Sequence, residues 1–296
     1  SGRACQSTAV SLPDQEGRRD MPEAAGAIPR WPAGHRAALC LTFDVDGRYG
    51  EANYRAPDDT YWISQTTYDP VGTERILDLL ADAQVPATFC WVGRVAEEQP
   101  DLVRRAVAEG HEIALHSWDH RPYNRMTADE QRQDMLRTHQ TLARISETWP
   151  TGHKTASWRF NAATFAIAQS LGLTWVMDEP VGDLPVLIQP DPQLPPLVQL
   201  PPAWLYDDYT YFVDRIMTPQ QAFEFWREDL EVLRDEGKVM CLTFHPFVTG
   251  RPGPSRALAR LIDYAIDLGD VWISRADHIA RWWIEREHDL AKAAGP

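Results

Sequence analysis

Ala37-Ala-Leu-Cys-Leu-Thr-Phe-Asp-Val-Asp-Gly47 is the stretch on which the reading of this chain turns. The run Ala37 to Phe43 is apolar but for Thr42 and reads as a buried strand, because parallel strands covered on both faces are nearly continuous in apolar residues. It ends in two carboxylates and a glycine. A buried carboxylate without a partner is costly, so charge at this point needs a reason. Residues i and i+2 of a strand face the same way, so Asp44 and Asp46 converge on one point at its carboxyl end. Barrel and open-sheet α/β enzymes keep their chemistry there. Alone, the same letters also describe a strand closed by an ordinary Asp-Gly turn, and the rest of the chain has to decide.

Downstream, helix and strand patterns alternate. Helical spacing covers Val71 to Ala83, Pro100 to Glu109 and Ala162 to Leu171, and Thr127-Ala-Asp-Glu130 opens a further helix with a capping-box signature. Strand-like runs fall at Val85–Val92, His111–Leu115, Lys154–Arg159, Leu173–Met177, Val239–Phe244 and Val271–Ile273. Helices are also expected at Thr218 to Glu236, Pro254 to Leu268 and Arg275 to Glu287. The alternation means βα units around a parallel sheet. Pro180 to Pro202 breaks the rhythm and reads as irregular, with Leu197 to Leu200 as a short strand. Arg48 to Asp69, rich in tyrosine and including Tyr54, reads as a long connection of the kind that often carries function. Residues 1–34 read as an N-terminal tail in which Trp31-Pro32 can pack on the body, and 35–296 as one domain.

The 296 residues, 44% hydrophobic, suit one large α/β domain. No apolar run reaches the length of a membrane span. No basic segment followed by an apolar core marks a secretory signal, so a cytoplasmic setting is expected. The net charge of −14 disfavours nucleic acid and anionic membranes as partners. Cys5, Cys40, Cys90 and Cys241 form no CxxC pair, and three lie in strand-like runs; they read as free thiols in a reducing compartment.

Polar clusters stand at the ends of four strand segments: Asp44 and Asp46; His116-Ser-Trp-Asp-His120; Arg159; and Thr243-Phe-His245-Pro246. In a parallel barrel those ends share one face. A His-x3-His pair with one carboxylate is a common zinc set that leaves a fourth position for water. By itself the pair is more often two surface histidines; beside Asp-x-Asp at another strand end it becomes a candidate metal site.

Thr42-Phe-Asp-Val-Asp46, Gly110-His-Glu-Ile-Ala-Leu-His-Ser-Trp-Asp-His120, Ser157-Trp-Arg159 and Leu242-Thr-Phe-His245-Pro246 together resemble the ordered motifs of the polysaccharide deacetylase (NodB-homology) superfamily, carbohydrate esterase family 4. The resemblance runs from about Ala37 to Trp283. The long insertion after the first motif, Leu200-Pro-Pro-Ala-Trp-Leu-Tyr-Asp-Asp208 and the loop Phe247 to Pro254 are most similar to its intracellular subgroup of peptidoglycan deacetylase-like and allantoinase-like proteins. The resemblance implies a distorted (β/α)7 barrel. It implies Asp46, His116 and His120 as ligands of one divalent metal, zinc first, with Asp44 as the base that takes a proton from water. It further implies Arg159 as the partner that keeps Asp44 ionised and His245 as the acid that protonates the leaving amine. Asp178 is the candidate carboxylate behind His245, with Asp183 second.

The third motif departs from the pattern, since Arg159-Phe-Asn-Ala-Ala lacks the proline that usually follows its arginine. That change puts the usual sugar substrate in doubt. The implied activity is metal-dependent hydrolysis of a linear amide, as in removal of the acetyl group from an N-acetyl amino sugar or another N-acylated metabolite. Metal-independent ring opening of a cyclic amide, as in allantoinases, is the alternative, and loss of metal would be expected to release Asp46 and both histidines. The expected partners are a small-molecule or amino-sugar substrate and further copies of the chain.

Overall fold

The computed structural model describes residues 30–53 and 59–294. Its strands are, in chain order, β1 (Ala37–Val45), β2 (Thr88–Trp91), β3 (Glu112–Leu115), β4 (Gly152–His153), β5 (Trp175–Val176), β6 (Val186–Ile188), β7 (Leu197–Gln199), β8 (Val239–Phe244) and β9 (Val271–Ile273). β1 is buried along its whole length and lies at the centre of the pairing. One edge runs parallel to β8, with Ala38 to Phe43 against Val239 to Phe244. The other edge is shared: Ala37 to Leu39 meet β9, and Thr42 to Val45 meet β2. The sheet continues in parallel through β3, β4, β5 and β7 and ends in β6, antiparallel to β7.

Curling brings the far side of the sheet back to β8. Val239 N–H donates to the Asp183 carbonyl at 3.0 Å, and Asp207 makes a parallel bridge with Thr243. β1, β2, β3, β4, β5, β7 and β8 form the parallel wall of a distorted (β/α)7 barrel. Alternate residues of β1 enter different environments, as its period of two requires. Leu39, Leu41, Phe43 and Val45 join the large cluster shared with the helices. There Phe43 stacks on Phe89 at 5.0 Å and on Phe244 at 5.4 Å. Ala38 and Cys40 belong to the other cluster, with Cys90, Cys241 and Trp175. Thr42, Asp44 and Asp46 continue that second series toward the carboxyl end of the barrel.

Thr127, Asn161 and Thr218 each cap a helix with a reciprocal side-chain box, over Ala128–Ser146, Ala162–Ser170 and Pro219–Asp235. Trp31 is fully buried against Trp272 and Trp283, and its indole N–H donates to the Gly237 carbonyl at 3.0 Å. Gly237 precedes β8, so Trp31 covers the end of the barrel opposite Asp44. Residues 1–29, Cys5 among them, and Tyr54 lie outside the described residues. Cys40, Cys90 and Cys241 are buried free thiols. No helix among the described residues is long and apolar enough to cross a membrane.

Three segments differ from the sequence reading. The strand expected over Lys154 to Arg159 is absent: β4 stops at His153, and Ser157 and Trp158 take positive φ of 51° in a tight turn. Pro180 to Pro202 is not wholly irregular, because Val186–Ile188 pairs with β7 as a hairpin. The connection after β1 contains the short helices Tyr49–Ala52 and Thr60–Gln65.

Candidate active site

Asp46, His116 and His120 meet at the carboxyl ends of β1 and β3, all buried. His116 Nε2 stands 3.3 Å from Asp46 Oδ1, and His120 Nε2 stands 3.4 Å from Asp46 Oδ2. His116 Nδ1 lies 2.7 Å from the Lys154 carbonyl. Only an N–H can satisfy a carbonyl, so Nδ1 carries the proton and Nε2 turns a lone pair toward Asp46. Burial agrees: it holds His116 down at about 4, against the pull of Asp44, and holds His120 well below the ordinary range. Asp46 Oδ1 is buried without a hydrogen bond, and burial pushes that carboxyl well above its usual range. Asp46 Oδ1 thus faces the His116 Nε2 lone pair across 3.3 Å with no hydrogen bond between them, where a bound cation would take the place of a proton. Two neutral imidazoles and a carboxylate in this relation fit a divalent cation.

The loop carrying the two histidines is strained to do this. Ser117 and His120 have φ of 62° and 60°, a region costly for residues with a side chain. Asp134, on the helix Ala128–Ser146, holds the loop by accepting from Trp118 N at 2.8 Å and from the Tyr123 hydroxyl at 2.7 Å. The turn after β1 is fixed from another side, where Gly47 N–H donates to the buried Asp69 carboxylate.

Asp44 lies beside this group, its Oδ2 3.6 Å from His116 Nε2. Its cationic partner is Lys154, whose ammonium lies 2.9 Å from Oδ2 and 3.0 Å from Oδ1. Thr243 Oγ1, at 2.8 Å, completes the lysine's donors. Burial works against the charge on Asp44, yet Lys154, then His116 and His245, outweigh it and hold the carboxyl at about 2. Lys154 was missed in the sequence. The expected pair of Asp44 with Arg159 is not formed: Arg159 is exposed, and the turn Ala156–Trp158 carries it away from the barrel interior. The sequence reading put Lys154 at the start of a strand, whereas it directly follows the two-residue β4, as Asp46 follows β1 and His245 follows β8.

His245 follows β8 and closes the group, with Nε2 3.8 Å from Asp46 Oδ2. Behind it stands Asp208, not Asp178 or Asp183. Asp208 Oδ1 is 2.7 Å from His245 Nδ1, and Oδ2 accepts from His245 N at 2.9 Å and from the Thr249 hydroxyl. Asp207 adds a second carboxylate 3.6 Å from Nδ1. Burial opposes the imidazolium, but Asp207 and Asp208 reverse it and raise His245 well above its ordinary range. Asp178 instead accepts from Thr155 N at 2.6 Å and faces His153, so it braces the turn after β4. Asp183 is exposed at the other end of β8, where its carbonyl meets Val239.

A cleft of about 420 Å³ opens over these groups. Asp44, Asp46, His116, His120 and His245 form its floor, and Trp158, Tyr209 and Phe247 are among its walls. The arrangement combines a carboxylate held ionised, an imidazole whose hold on its proton is strengthened, and between them a donor set that fits a cation.

The sequence profile of the polysaccharide deacetylase family matches residues 35–176. A solved structure assigned as a polysaccharide deacetylase from Mycobacterium smegmatis superposes with a TM-score of 0.80 at 30% identity, over 87% of this chain and 93% of that one. A chitooligosaccharide deacetylase of Sinorhizobium fredii is 50% identical over 52 residues, 18% of this chain and 24% of that protein's length. The chain thus spans about a quarter of the length of that curated relative. The Puue allantoinase structure shares the fold, with a TM-score of 0.78 at 24% identity over 90% of this chain and 97% of that one.

Proposed function

We propose that this chain, which belongs to the polysaccharide deacetylase family, hydrolyses the amide of an N-acylated substrate, an N-acetyl amino sugar or a smaller N-acetylated metabolite. One observation carries the reading. Asp44 and His245 flank a single cluster with their proton affinities pushed in opposite directions, the carboxylate down by Lys154 and the imidazole up by Asp207 and Asp208. Titratable groups separated in this way make a base and an acid ready at the same pH.

Asp46, His116 and His120 would hold a divalent metal, for which we propose zinc. When bound, it supplies Lewis acidity toward a water and toward the amide carbonyl. Asp44 then takes the proton of the attacking water on a carboxylate that Lys154 keeps ionised and oriented. His245 gives its Nε2 proton to the departing nitrogen, while Asp208 holds Nδ1 and fixes the ring. Tyr209 and Phe247 line the cleft beside His245, their rings set edge-on to the imidazole at 6.1 and 5.9 Å.

The test is release of free acid from a panel of N-acetylated amino sugars and short N-acylated amines, with elemental analysis of the same preparation. Turnover that stops on chelation and returns with zinc supports the reading. Turnover of cyclic amides that survives chelation, in protein without transition metal, replaces it with metal-free ring opening.

A further inference from the structure

Asp69 is a buried acid that the reaction described above leaves unused. It opens the helix Asp69–Ala83, in which Thr73, Ile76, Leu77 and Leu80 are buried with it. Positions 69, 73, 76 and 80 form one stripe of the helix, and a stripe that meets a core calls for apolar side chains. Here its first place holds a carboxylate at 0% exposure. Oδ2 accepts from the Gly47 N–H, but Oδ1 is buried without a hydrogen bond. A buried acid left half satisfied weakens a fold relative to an apolar side chain, so its presence calls for a reason beyond packing.

The reason lies in what it faces. Asp46 and His245 follow neighbouring strands, yet the ladder between β1 and β8 ends at Phe43 and Phe244. Both groups lie past that last pair, so the ladder does not tie one to the other. Asp69 stands between the two turns that follow them. Gly47, which donates to it, comes directly after Asp46. On the other side, the helix packs on the turn Pro246–Thr249 so closely that a Cβ at Gly72 would be 2.0 Å from the Pro246 carbonyl oxygen. Burial raises the Asp69 carboxyl to about 7, against the pull of the Gly47 N–H, the His245 imidazole and the Phe247 N–H.

We propose that Asp69 is a positioning residue for the hydrolysis: its carboxylate joins the turn after the ligand Asp46 to the turn after the acid His245, and so fixes the acid against the cation site. This rests on the amide-hydrolysis reading above and adds to it a residue that does not line the cleft. His245 Nε2 lies 3.8 Å from Asp46 Oδ2 in this arrangement. A proton reaches the departing nitrogen only over hydrogen-bond distance, so a small drift of the turn after β8 costs the donation while the ion stays in place.

The experiment compares an amide with an ester in the full chain loaded with zinc. An amide needs its leaving nitrogen protonated, whereas the 4-nitrophenolate of 4-nitrophenyl acetate departs without a proton. Asp69→Asn keeps the size and an acceptor for Gly47, but it loses the charge and turns an NH2 toward the Phe247 N–H. Its kcat on the fastest N-acetylated amine of the panel above should fall about thirtyfold or more with KM within about twofold, while kcat on the ester stays within about threefold. Its melting temperature should still rise with zinc, because the hold on Gly47 remains; loss of that rise would place the effect on the ion and overturn the inference. Thr73→Val removes the hydroxyl that donates to the Asp69 carbonyl at 2.8 Å and leaves the carboxylate alone. It should keep the wild-type amide-to-ester ratio whatever its stability. Asp69→Ser serves the same test if Asp69→Asn does not fold. Failure of both to fold would overturn the inference, since the residue then serves the fold alone. Equal losses on amide and ester in a folded variant, or no loss on either, would overturn it too and leave the hydrolytic reading standing. Absence of acid release from every amide by the wild type would overturn the hydrolytic reading, and this inference with it.

Discussion

Lys154 Nζ reaches both carboxylate oxygens of Asp44, at 2.9 and 3.0 Å, from the far side of the barrel interior. The side chains are 1% and 5% exposed, so neither charge has water to fall back on. Removing one partner of a buried pair leaves the other uncompensated, at a cost of about 3–5 kcal/mol. Lys154→Met should therefore lower stability to denaturant by about that much at neutral pH. It should also cut turnover by roughly 10²-fold or more, the order that a placed proton acceptor contributes. Metal content should hold. Arg159→Ala, at an exposed position with no such pair, should stay within about 0.5 kcal/mol of wild type and keep most of its turnover. Equal losses in the two variants would return the role to Arg159.

The pH profile follows from the same two groups. Asp44, held at about 2, is ionised throughout the useful range and sets no limb of the profile. His245 is raised above its ordinary value, so its proton is fully present below that value and is lost only as pH rises through the raised one. kcat/KM should accordingly fall on the alkaline side, through a group that titrates above an unperturbed histidine. Asp207→Asn removes one of the two carboxylates that hold the imidazolium and should move that limb toward lower pH. An alkaline limb that stays put in this variant would show that another group sets it.

Much of this was legible in the letters, and the misses share one cause. Asp44, Asp46, His116 and His245 lie in or directly after apolar runs that fix their register, so strand order was enough to bring them together; His120, across the loop after β3, was legible only from its His-x3-His spacing and the family resemblance. Lys154 and Asp208 escaped because their local patterns are poor. β4 is two residues long, too short for any alternation to show, and its apparent continuation to Arg159 is a turn with positive φ at Ser157 and Trp158. Asp208 lies between a single bridge to β8 and a five-residue π-helical turn, where neither strand nor α-helical spacing applies. Asp178 was attractive because it ends a strand. The same placement, one position around the barrel, gave it the Thr155 amide to hold instead of His245.

Metal removal should be read in stability as well as in rate. An ion bound only by the folded state stabilises it by about 2.7 kcal/mol at a concentration 100 times its dissociation constant. The chelated protein should therefore melt at lower temperature, and added zinc should restore the transition. His120→Ala should melt like the chelated wild type and respond little to zinc. A zinc-induced rise in that variant equal to the wild type's would place the ion elsewhere.

Gly72 offers a test of how the acid is held from behind. It lies in the first turn of the helix Asp69–Ala83, where a Cβ would stand 2.0 Å from the Pro246 carbonyl oxygen, an atom of the main chain. Gly250 meets the same helix so closely that its own Cβ would be 2.3 Å from Gly72 Cα. Backbone cannot rotate aside as a side chain can, so Gly72→Ala must push the turn Pro246–Thr249 outward, at roughly 1–3 kcal/mol for an overpacked site. His245 immediately precedes that turn and the Thr249 hydroxyl is tied to Asp208, so the displacement reaches the acid and its carboxylate together. kcat should fall more than KM rises. Gly269→Ala is the matched control: its φ of 71° makes a side chain costly by about 1–2 kcal/mol, but nothing lies within 4 Å of the added carbon. It should lose comparable stability with turnover intact. If both variants lose turnover in proportion to stability, the packing at Gly72 serves the fold alone and the position of His245 is set by Asp208.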